Sequence, residues 1–228
     1  MLLLRRFFFA LLACAPVAAW AQTAPSAGDI AAYRGLHAAA QAGDAAALRQ
    51  ALAGGAAGNG RDAYGRTPLH VATFARQREA IKALAVAGAD LGLVENDRYD
   101  AVTIAAVADD EATLRALLAL GASAKLITSR YDGTALIAAA HLGHEGVVRQ
   151  LIAAGAPLDH INNLHWTAVI ESIVLGDGGP RHQATLKALI DAQANLQLAD
   201  RSGHTPLALA RERGYVAMQR LLEAAGAR

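Results

Sequence analysis

The sequence predicts an all-helical repeat solenoid, and two periodicities and the composition support that fold class. A Gly-Ala pair, replaced once by Gln-Ala, recurs from Gly55 to Gly226 at steps of 33, 33, 34, 38 and 33 residues. The apolar residue that opens each alanine-rich helix recurs from Leu36 to Leu207 at steps of 33, 33, 34, 33 and 38 residues. Alanine makes up about a quarter of the 228 residues and aromatic residues only 5%, which favours closely packed helices. A period near 33 residues indicates about six stacked units that cannot bury their faces alone.

The N-terminal 21 residues have the pattern of an export signal. A basic start ends at Arg6, an apolar run covers Phe7 to Val17, and Ala19-Trp20-Ala21 fits a small-x-small cleavage site. The apolar run is shorter than the ~20 residues that span a membrane, so we expect cleavage after Ala21 and a periplasmic protein. The alternative is a lipoprotein, because Leu11-Leu12-Ala13-Cys14 resembles a lipobox. Cleavage after Ala21 would remove Cys14, the only cysteine, so the mature protein would be stable through packing alone.

The rest of the chain divides into a linker and a repeat domain. Residues 22–29 are small and polar and are expected to form a linker. The repeat domain then covers residues 30–228. Its units are approximately 30–60, 61–93, 94–126, 127–160, 161–198 and 199–228.

The second unit shows the order of elements that we expect in every unit. A turn over residues 62–65 precedes a helix that Thr67 can cap, with Pro68 at a position where a missing N–H is harmless. A second helix covers Glu79 to Val86 and ends at Gly88, because glycine tolerates the left-handed conformation. His37 and His70 stand at the helix-start position of their units, where hydrogen bonding near the cap explains them.

The motifs resemble the ankyrin repeat. The resemblance rests on Asp62-x-x-Gly65-x-Thr67-Pro68-Leu69-His70, on Gly88-Ala89-Asp90, on Asp200-x-x-Gly203-x-Thr205-Pro206-Leu207 and on Gly143-His144-Glu145. It implies an elongated stack of helix pairs with protruding hairpin turns, and a non-enzymatic protein that binds another protein. A further resemblance to exported bacterial ankyrin proteins implies a role in protecting or inhibiting a partner.

Some units depart from the family pattern. Arg98 and His165 stand where the family has the turn glycine, and the fourth unit has its glycine one place later, at Gly133. We therefore expect these turns to differ in shape. The fifth unit carries extra residues, 175–183, which are interpreted either as a flexible interhelix loop or as a partner contact through Asp177, Arg181 and His182.

Catalytic and metal-binding interpretations have weak support. His141-x-x-His144-Glu145 lacks the four-residue histidine spacing of zinc proteases, and His144 is predicted to be structural. We predict no catalytic residue, metal or cofactor; the alternative is a metal-binding or hydrolytic protein that uses His141, His144 and the 176–182 loop. Asp109-Asp110-Glu111 is expected to form surface ion pairs with Arg76 and Arg78. Glu171, on a mostly apolar column, is expected to hold the glycine-rich loop through backbone N–H groups.

The sequence favours a protein-binding surface instead. The 21 basic and 20 acidic residues nearly balance, which argues against nucleic-acid binding. Four hairpin turns each carry an aromatic residue, where exposed rings suit an interface, and the late inner-helix positions on the concave side are mainly apolar. We expect a monomer without a membrane span. Its predicted protein-binding residues are Tyr64, Arg66, Phe74, Arg98, Tyr99, Val107, Tyr131, His141, Leu142, His165, Trp166, Val174 and Leu175.

Overall fold

In the computed structural model, residues 22–228 are described, and thirteen helices and two short strands form along them. The predicted export signal and its lipoprotein alternative lie outside these residues. The elements are α1 (Ala27–Ala32), α2 (Gly35–Ala42), α3 (Ala45–Ala53), α4 (Pro68–Phe74), α5 (Arg78–Val86), α6 (Ala101–Val107), α7 (Glu111–Ala119), β1 (Ile127–Thr128), β2 (Gly133–Thr134), α8 (Ala135–Leu142), α9 (Glu145–Ala153), α10 (Ala168–Val174), α11 (Pro180–Asp191), α12 (Pro206–Glu212) and α13 (Val216–Ala224).

The helices from α2 onward form six pairs, which confirms the predicted repeat solenoid. The even-numbered helices, called inner helices below, pack against one another in sequence order from α2 to α12. The odd-numbered helices from α3 to α13, called outer helices, do the same. Each unit therefore buries its apolar side chains against its own partner helix and against both neighbouring units.

Two columns of apolar residues form the core. The residue that opens each inner helix is at most 8% exposed, which confirms the repeat register: Leu36, Leu69, Val102, Leu136, Val169 and Leu207. A leucine of each outer helix has no exposed surface: Leu48, Leu84, Leu117, Leu151, Leu189 and Leu222. Alanine fills much of the space between these columns, so the helices approach closely.

The helix starts follow the capping chemistry of the sequence. The side chains of Thr67, Thr134, Thr167 and Thr205 accept a hydrogen bond from the third backbone N–H of the inner helix that follows, and Asp100 does the same for α6. The predicted hydrogen bonding of the helix-start histidines is confirmed. His70 completes the cap with Thr67, and His37 bonds to the backbone carbonyl of Arg66 in the next unit.

One side chain in each hairpin turn organises the turn by accepting two backbone N–H bonds, from the residues two and four places later. Five residues have this role: Asp62, Glu95, Ser129, Asn162 and Asp200. We call this residue the turn acceptor. Four different side-chain types fill the position, because any short acceptor can replace the missing backbone bonds of a turn.

The expectation that Arg98 and His165 change the turn shape is wrong. They have φ values of 67° and 69°, in the left-handed region that Gly65 also occupies at φ 73°. The turn acceptor fixes the backbone of the turn. Arg98 and His165 therefore adopt the left-handed conformation, although it costs a residue other than glycine about 1–2 kcal/mol. In the fourth unit Asp132, and not Gly133, is left-handed at this position.

The fourth turn is nevertheless distinct. Its turn acceptor Ser129 is itself left-handed, with φ 65°. The strands β1 and β2 pair antiparallel across it, with Ile127 opposite Thr134. An extra residue in this unit, seen as the 34-residue step of the repeat, accompanies the change.

The extra residues of the fifth unit form a structured connection that lengthens a helix. Helix α11 has 12 residues, whereas the other outer helices have nine. The imidazole of His182 contacts Asp177 at 2.8 Å and the carbonyl oxygen of His141 at 2.9 Å. The connection is therefore tied to the preceding unit by side-chain hydrogen bonds.

The residues before the first unit are also ordered, although residues 22–29 were expected to form a linker. Ser26 and Asp29 form a reciprocal capping box that starts α1. Over the described residues, none of the helices combines the length and the apolar character that crossing a membrane requires.

Candidate protein-binding face

The predicted binding residues lie on the surface formed by the hairpin turns and the inner helices, which we call the inner face. The four hairpin aromatics that look equivalent in the sequence occupy two different positions. Tyr64 and Tyr131 stand two residues after their turn acceptors, whereas Tyr99 and Trp166 stand four residues after theirs. These two positions have different environments.

The position two residues after the turn acceptor lies at the tip of the turn. Tyr64 is 41% exposed and Tyr131 is partly exposed. The ring of Tyr64 lies over the guanidinium group of Arg66, with 4.3 Å between Cζ and the ring centre, which is a cation–π arrangement. Arg98 and His165, one place later in their turns, are exposed as well. These side chains are available to a partner.

The position four residues after the turn acceptor is directed back into the molecule. Arg66 is fully buried and Tyr99 is only 5% exposed, so their prediction as exposed hairpin contacts is wrong. Trp166, at the same position, is partly buried against the core. This residue precedes the helix cap, where the chain has already returned from the tip to the repeat body. In the sixth unit the residue at this position, His204, is exposed, so the position alone does not bury a side chain.

Arg66 is the centre of a buried ionic cluster. Its Nε donates to Asp62 Oδ2 at 2.7 Å, and Nη2 donates to Asp29 Oδ2 at 3.1 Å. Burial acts against ionisation of Asp62, but the hydrogen bonds from Arg66 outweigh it and hold the pKa of that carboxyl below its ordinary value. The hydroxyl group of Tyr33 also donates to Asp62, at 2.9 Å. Arg66 therefore stabilises the first two units.

Tyr99 fills the inner face between the third and fourth units. It lines a cavity of about 10 Å³ together with Val107, His141 and Leu142, which the sequence had placed on the binding face. Burial raises the pKa of the Tyr99 hydroxyl. The structure thus brings four predicted contact residues together, and they leave almost no open volume between them.

Glu171 does not bind the glycine-rich loop, contrary to the expectation. Its carboxylate is fully buried; Oε1 accepts from Asn162 Nδ2 at 2.9 Å, and Oε2 lies 3.3 Å from His141 Nδ1. Asn162 is the turn acceptor of the same unit, and His141 belongs to the preceding inner helix. Glu171 therefore lies between the turn and the helix end of adjacent units. Its Oε1 has a hydrogen-bond partner, whereas Oε2 accepts no hydrogen bond and has the His141 ring nearby.

The remaining predicted residues line the inner face at its two ends. Trp166 and Val174 border an open cavity of about 420 Å³ between the fifth and sixth units, together with His204 and Arg213. Leu175, directly after α10, and Phe74, the last residue of α4, are partly buried. The cavity beside Trp166 is therefore an open recess on this face that is lined by predicted contact residues.

Two exposed apolar side chains were missed by the sequence analysis. Ile127 is 52% exposed and Ile161 is 39% exposed, and both lie on the hairpins of the fourth and fifth units. The signal available in the sequence was a β-branched residue next to a hairpin turn, at a position that does not belong to the helical core. They extend the apolar surface of the hairpin tips.

The chemically suggestive clusters have structural roles. His144 donates from Nδ1 to the carbonyl oxygen of Ala106 at 2.9 Å, which confirms its structural interpretation, and Glu145 pairs with Arg149. Across residues 22–228, His, Cys, Asp and Glu side chains form no group of three or more that could hold a metal ion.

The acidic stretch forms one of the expected ion pairs, between Asp110 and Arg76, whereas Glu111 accepts a hydrogen bond from Gln150. Asp110 caps α7 and lies 3.6 Å from Arg76 Nε. Asp109 pairs with Arg181 at 2.9 Å, a contact that the sequence analysis had not assigned. Arg181 belongs to the extra segment of the fifth unit, so the segment is anchored to the third unit as well.

Comparison with known proteins finds relatives that are ankyrin-repeat proteins or domains. The family model for ankyrin repeats (three copies) matches residues 27–95 and 75–162. The ankyrin repeat protein YahD of Escherichia coli is 36% identical over 190 residues, which cover 83% of this chain and 94% of YahD. An ankyrin repeat domain from Acinetobacter baumannii superimposes with a TM-score of 0.79 at 42% identity, over 85% of this chain and 98% of that domain. The ankyrin repeat domain of Bcl-3 gives a TM-score of 0.77 at 25% identity, over 86% and 87% of the two chains. With this repeat architecture, these motifs and these relatives, the chain belongs to the ankyrin-repeat family.

Proposed function

We propose that this protein is a non-enzymatic binding module that holds another protein against its inner face. Ankyrin-repeat domains are in general protein-interaction modules and are typically not enzymes. The observation that supports this use of the inner face is the exposure of an apolar side chain on three of its hairpins. Tyr64, Ile127 and Ile161 are each at least 39% exposed. Exposed apolar groups of this kind are typical of interfaces.

The proposed contact surface is narrower than the sequence suggested. Because Arg66 and Tyr99 are buried, they support the surface and do not form it. The hairpin tips and the cavity beside Trp166 remain, with Arg98 and His165 as exposed polar groups between the apolar ones. This combination of apolar anchors and a polar rim is the usual composition of a protein interface.

We also propose that the protein acts in the periplasm after cleavage behind Ala21. The support is the N-terminal sequence, with its basic start, apolar run and small-x-small site. Anchoring through Cys14 is the alternative. In that compartment the binding module would either protect a periplasmic enzyme, including under oxidative stress, or neutralise a toxin as an immunity protein.

Capture of the partner and a pair of matched variants test the proposal. A tagged chain beginning at Gln22 is used to retain proteins from a periplasmic extract, and mass spectrometry identifies them. Calorimetry with the retained protein then compares Ile127→Ala with Val86→Ala. Both replace an exposed β-branched side chain, but Ile127 lies on a hairpin and Val86, 77% exposed, ends an outer helix.

Ile127→Ala should weaken binding by about 1–2 kcal/mol, because it removes apolar contact area at the interface. Val86→Ala should leave the affinity unchanged. The reverse result, with Val86→Ala weakening binding and Ile127→Ala without effect, would place the interface on the outer helices and refute the proposal.

A further inference from the structure

The N-terminal segment Gln22–Ala32, which we call the strap, lies across the inner face of the second and third units. Gln22 Nε2 donates to the carbonyl oxygen of Thr103 on α6 at 3.1 Å. Thr23 Oγ1 donates to Asp97 Oδ2, on the hairpin of the third unit, at 3.0 Å. The strap thus begins at an inner helix and a hairpin turn, the two elements that form the inner face.

Arg66 holds the middle of the strap. Its Nη1 donates to the carbonyl oxygen of Thr23 at 3.3 Å, and its Nη2 donates to the carboxylate of Asp29 at 3.1 Å. A backbone hydrogen bond from Ser26 and the contact with Arg66 lower the pKa of Asp29. Arg66 has no exposed surface, so the carboxylate of the strap helps to satisfy a guanidinium group that lies out of water.

Side-chain hydrogen bonds attach the strap to the repeat stack. Helix α1, which forms its second half, contributes no buried side chain to the core. The hydrogen bond from Thr23 to Asp97 is exposed and contributes only about 0–1 kcal/mol. The contacts with Arg66 are partly buried, and Arg66 keeps its hydrogen bond to Asp62 when the strap leaves. The repeat stack from Tyr33 onward has its own apolar core. The strap can therefore leave the inner face without opening that core.

We propose that the strap is an internal ligand, which occupies in cis a peptide-binding site formed by Arg66, Asp97 and the carbonyl oxygen of Thr103. This inference rests on the proposed function and specifies the chemistry of the partner. The competing segment is a peptide with a hydroxyl-bearing residue in an extended stretch and, six positions later, a carboxylate in the first turn of a short helix, as Thr23 and Asp29 are placed. Arg66 would pair with that carboxylate through the same fork of N–H donors.

The tether sets the strength of the competition. A segment linked to its own site acts at an effective concentration on the order of millimolar. A free peptide at micromolar concentration therefore displaces little of the strap, whereas the same peptide finds the site open once the strap contacts are removed. Partner binding to the second and third units would then require release of the strap.

A peptide-binding experiment tests the inference without any partner. The probe is a fluorescein-labelled synthetic peptide with the sequence of residues 22–34. The receptor is the chain from Gln22 to Arg228, either unchanged or with the strap substitutions Thr23→Gly and Asp29→Asn. Asp44→Asn is the matched control, because Asp44 is also an exposed capping aspartate but bonds only within its own helix α3.

The peptide should bind the strap variant at least tenfold more tightly than the unchanged chain or the Asp44→Asn chain. Hydrogen exchange provides the second measurement: amides of 22–32 should exchange more slowly in the unchanged chain than in the free peptide, and the strap substitutions should remove that protection. The protection of α8 should stay the same in all three chains, which shows that the repeat stack remains folded.

Any of these results would overturn the inference: equal binding of the peptide to all three chains, no binding to the strap variant, or equal exchange of 22–32 in chain and peptide. A concentration-dependent dimer in sedimentation would show that copies exchange straps, and would refute the occupation in cis. The affinity for a captured partner plays no part in these results, so the inference and the proposed function can fail separately.

Discussion

Protonation of His70 should destabilise the protein at mildly acidic pH. The His70 side chain is 1% exposed at the start of α4. Its Nε2 donates to the carbonyl oxygen of Leu93 at 2.9 Å, and its Nδ1 accepts from the backbone N–H of Thr67 at 3.0 Å. Burial lowers the pKa of His70 to about 4. The hydrogen-bond geometry also lowers the pKa of His70, since a proton on Nδ1 would point at the backbone N–H of Thr67.

The size of the effect follows from the difference between the folded and unfolded pKa values. The unfolded chain has a histidine pKa near 6.5, and the folded value is about 4. The folded state therefore binds a proton less readily, so stability is complete above pH 6.5 and falls as the pH drops from 6.5 to 4. The total loss is about 3 kcal/mol, of which about 2 kcal/mol appears by pH 5.

Urea unfolding followed by circular dichroism at pH 7.5 and pH 5.0 measures this loss. His70→Gln is the informative variant, because glutamine at this position can still accept from the N–H of Thr67 but does not titrate. The free energy of unfolding should fall by about 2 kcal/mol more in the unchanged chain than in His70→Gln. His165→Gln, which alters an exposed histidine, should retain the pH dependence of the unchanged chain.

Equal pH dependence in the unchanged chain and His70→Gln would refute the reasoning. Other buried groups do not confuse the comparison. Burial raises the pKa values of Glu95 and Asp100, which stabilises the folded state as pH falls, but both groups are present in every chain and cancel in the difference.

Further predictions concern packing, backbone strain and processing. Leu136→Ala should reduce the free energy of unfolding by about 2–5 kcal/mol, because Leu136 has no exposed surface, whereas Arg130→Ala should have little effect in the same urea titration. His165→Gly should raise the melting temperature, since it removes a left-handed non-glycine residue whose conformation costs about 1–2 kcal/mol. A lower melting temperature would show that the His165 side chain contributes more to stability than its backbone conformation costs. N-terminal sequencing of periplasmic material should begin at Gln22, and a lipidated Cys14 at the terminus would contradict this.

The expectation that the ring of Tyr99 is exposed on its hairpin does not agree with the structure. It rested on the assumption that every hairpin aromatic is a tip. Tyr99 and Tyr131 differ by two places relative to their turn acceptors, and that offset decides whether a ring points outward or toward the inner helices. The acceptor could not be identified from the sequence, because Glu95 differs from Asp62 in side-chain length and Ser129 differs from it in charge.

The repeat sequence by itself determined the fold class, the register and the helix caps. Periodicity and capping are local and repeated, so six imperfect copies of one pattern place Leu69, Leu136 and their counterparts in the core without knowledge of distant contacts. The tertiary structure alone decided which side chains remain available for binding. Burial of Arg66 depends on Asp29, which lies 37 residues earlier in the chain, and the surroundings of Glu171 depend on His141 in the preceding unit. Such contacts arise from the way in which neighbouring units and the strap meet in space, and the repeat pattern of the sequence contains no signal for them.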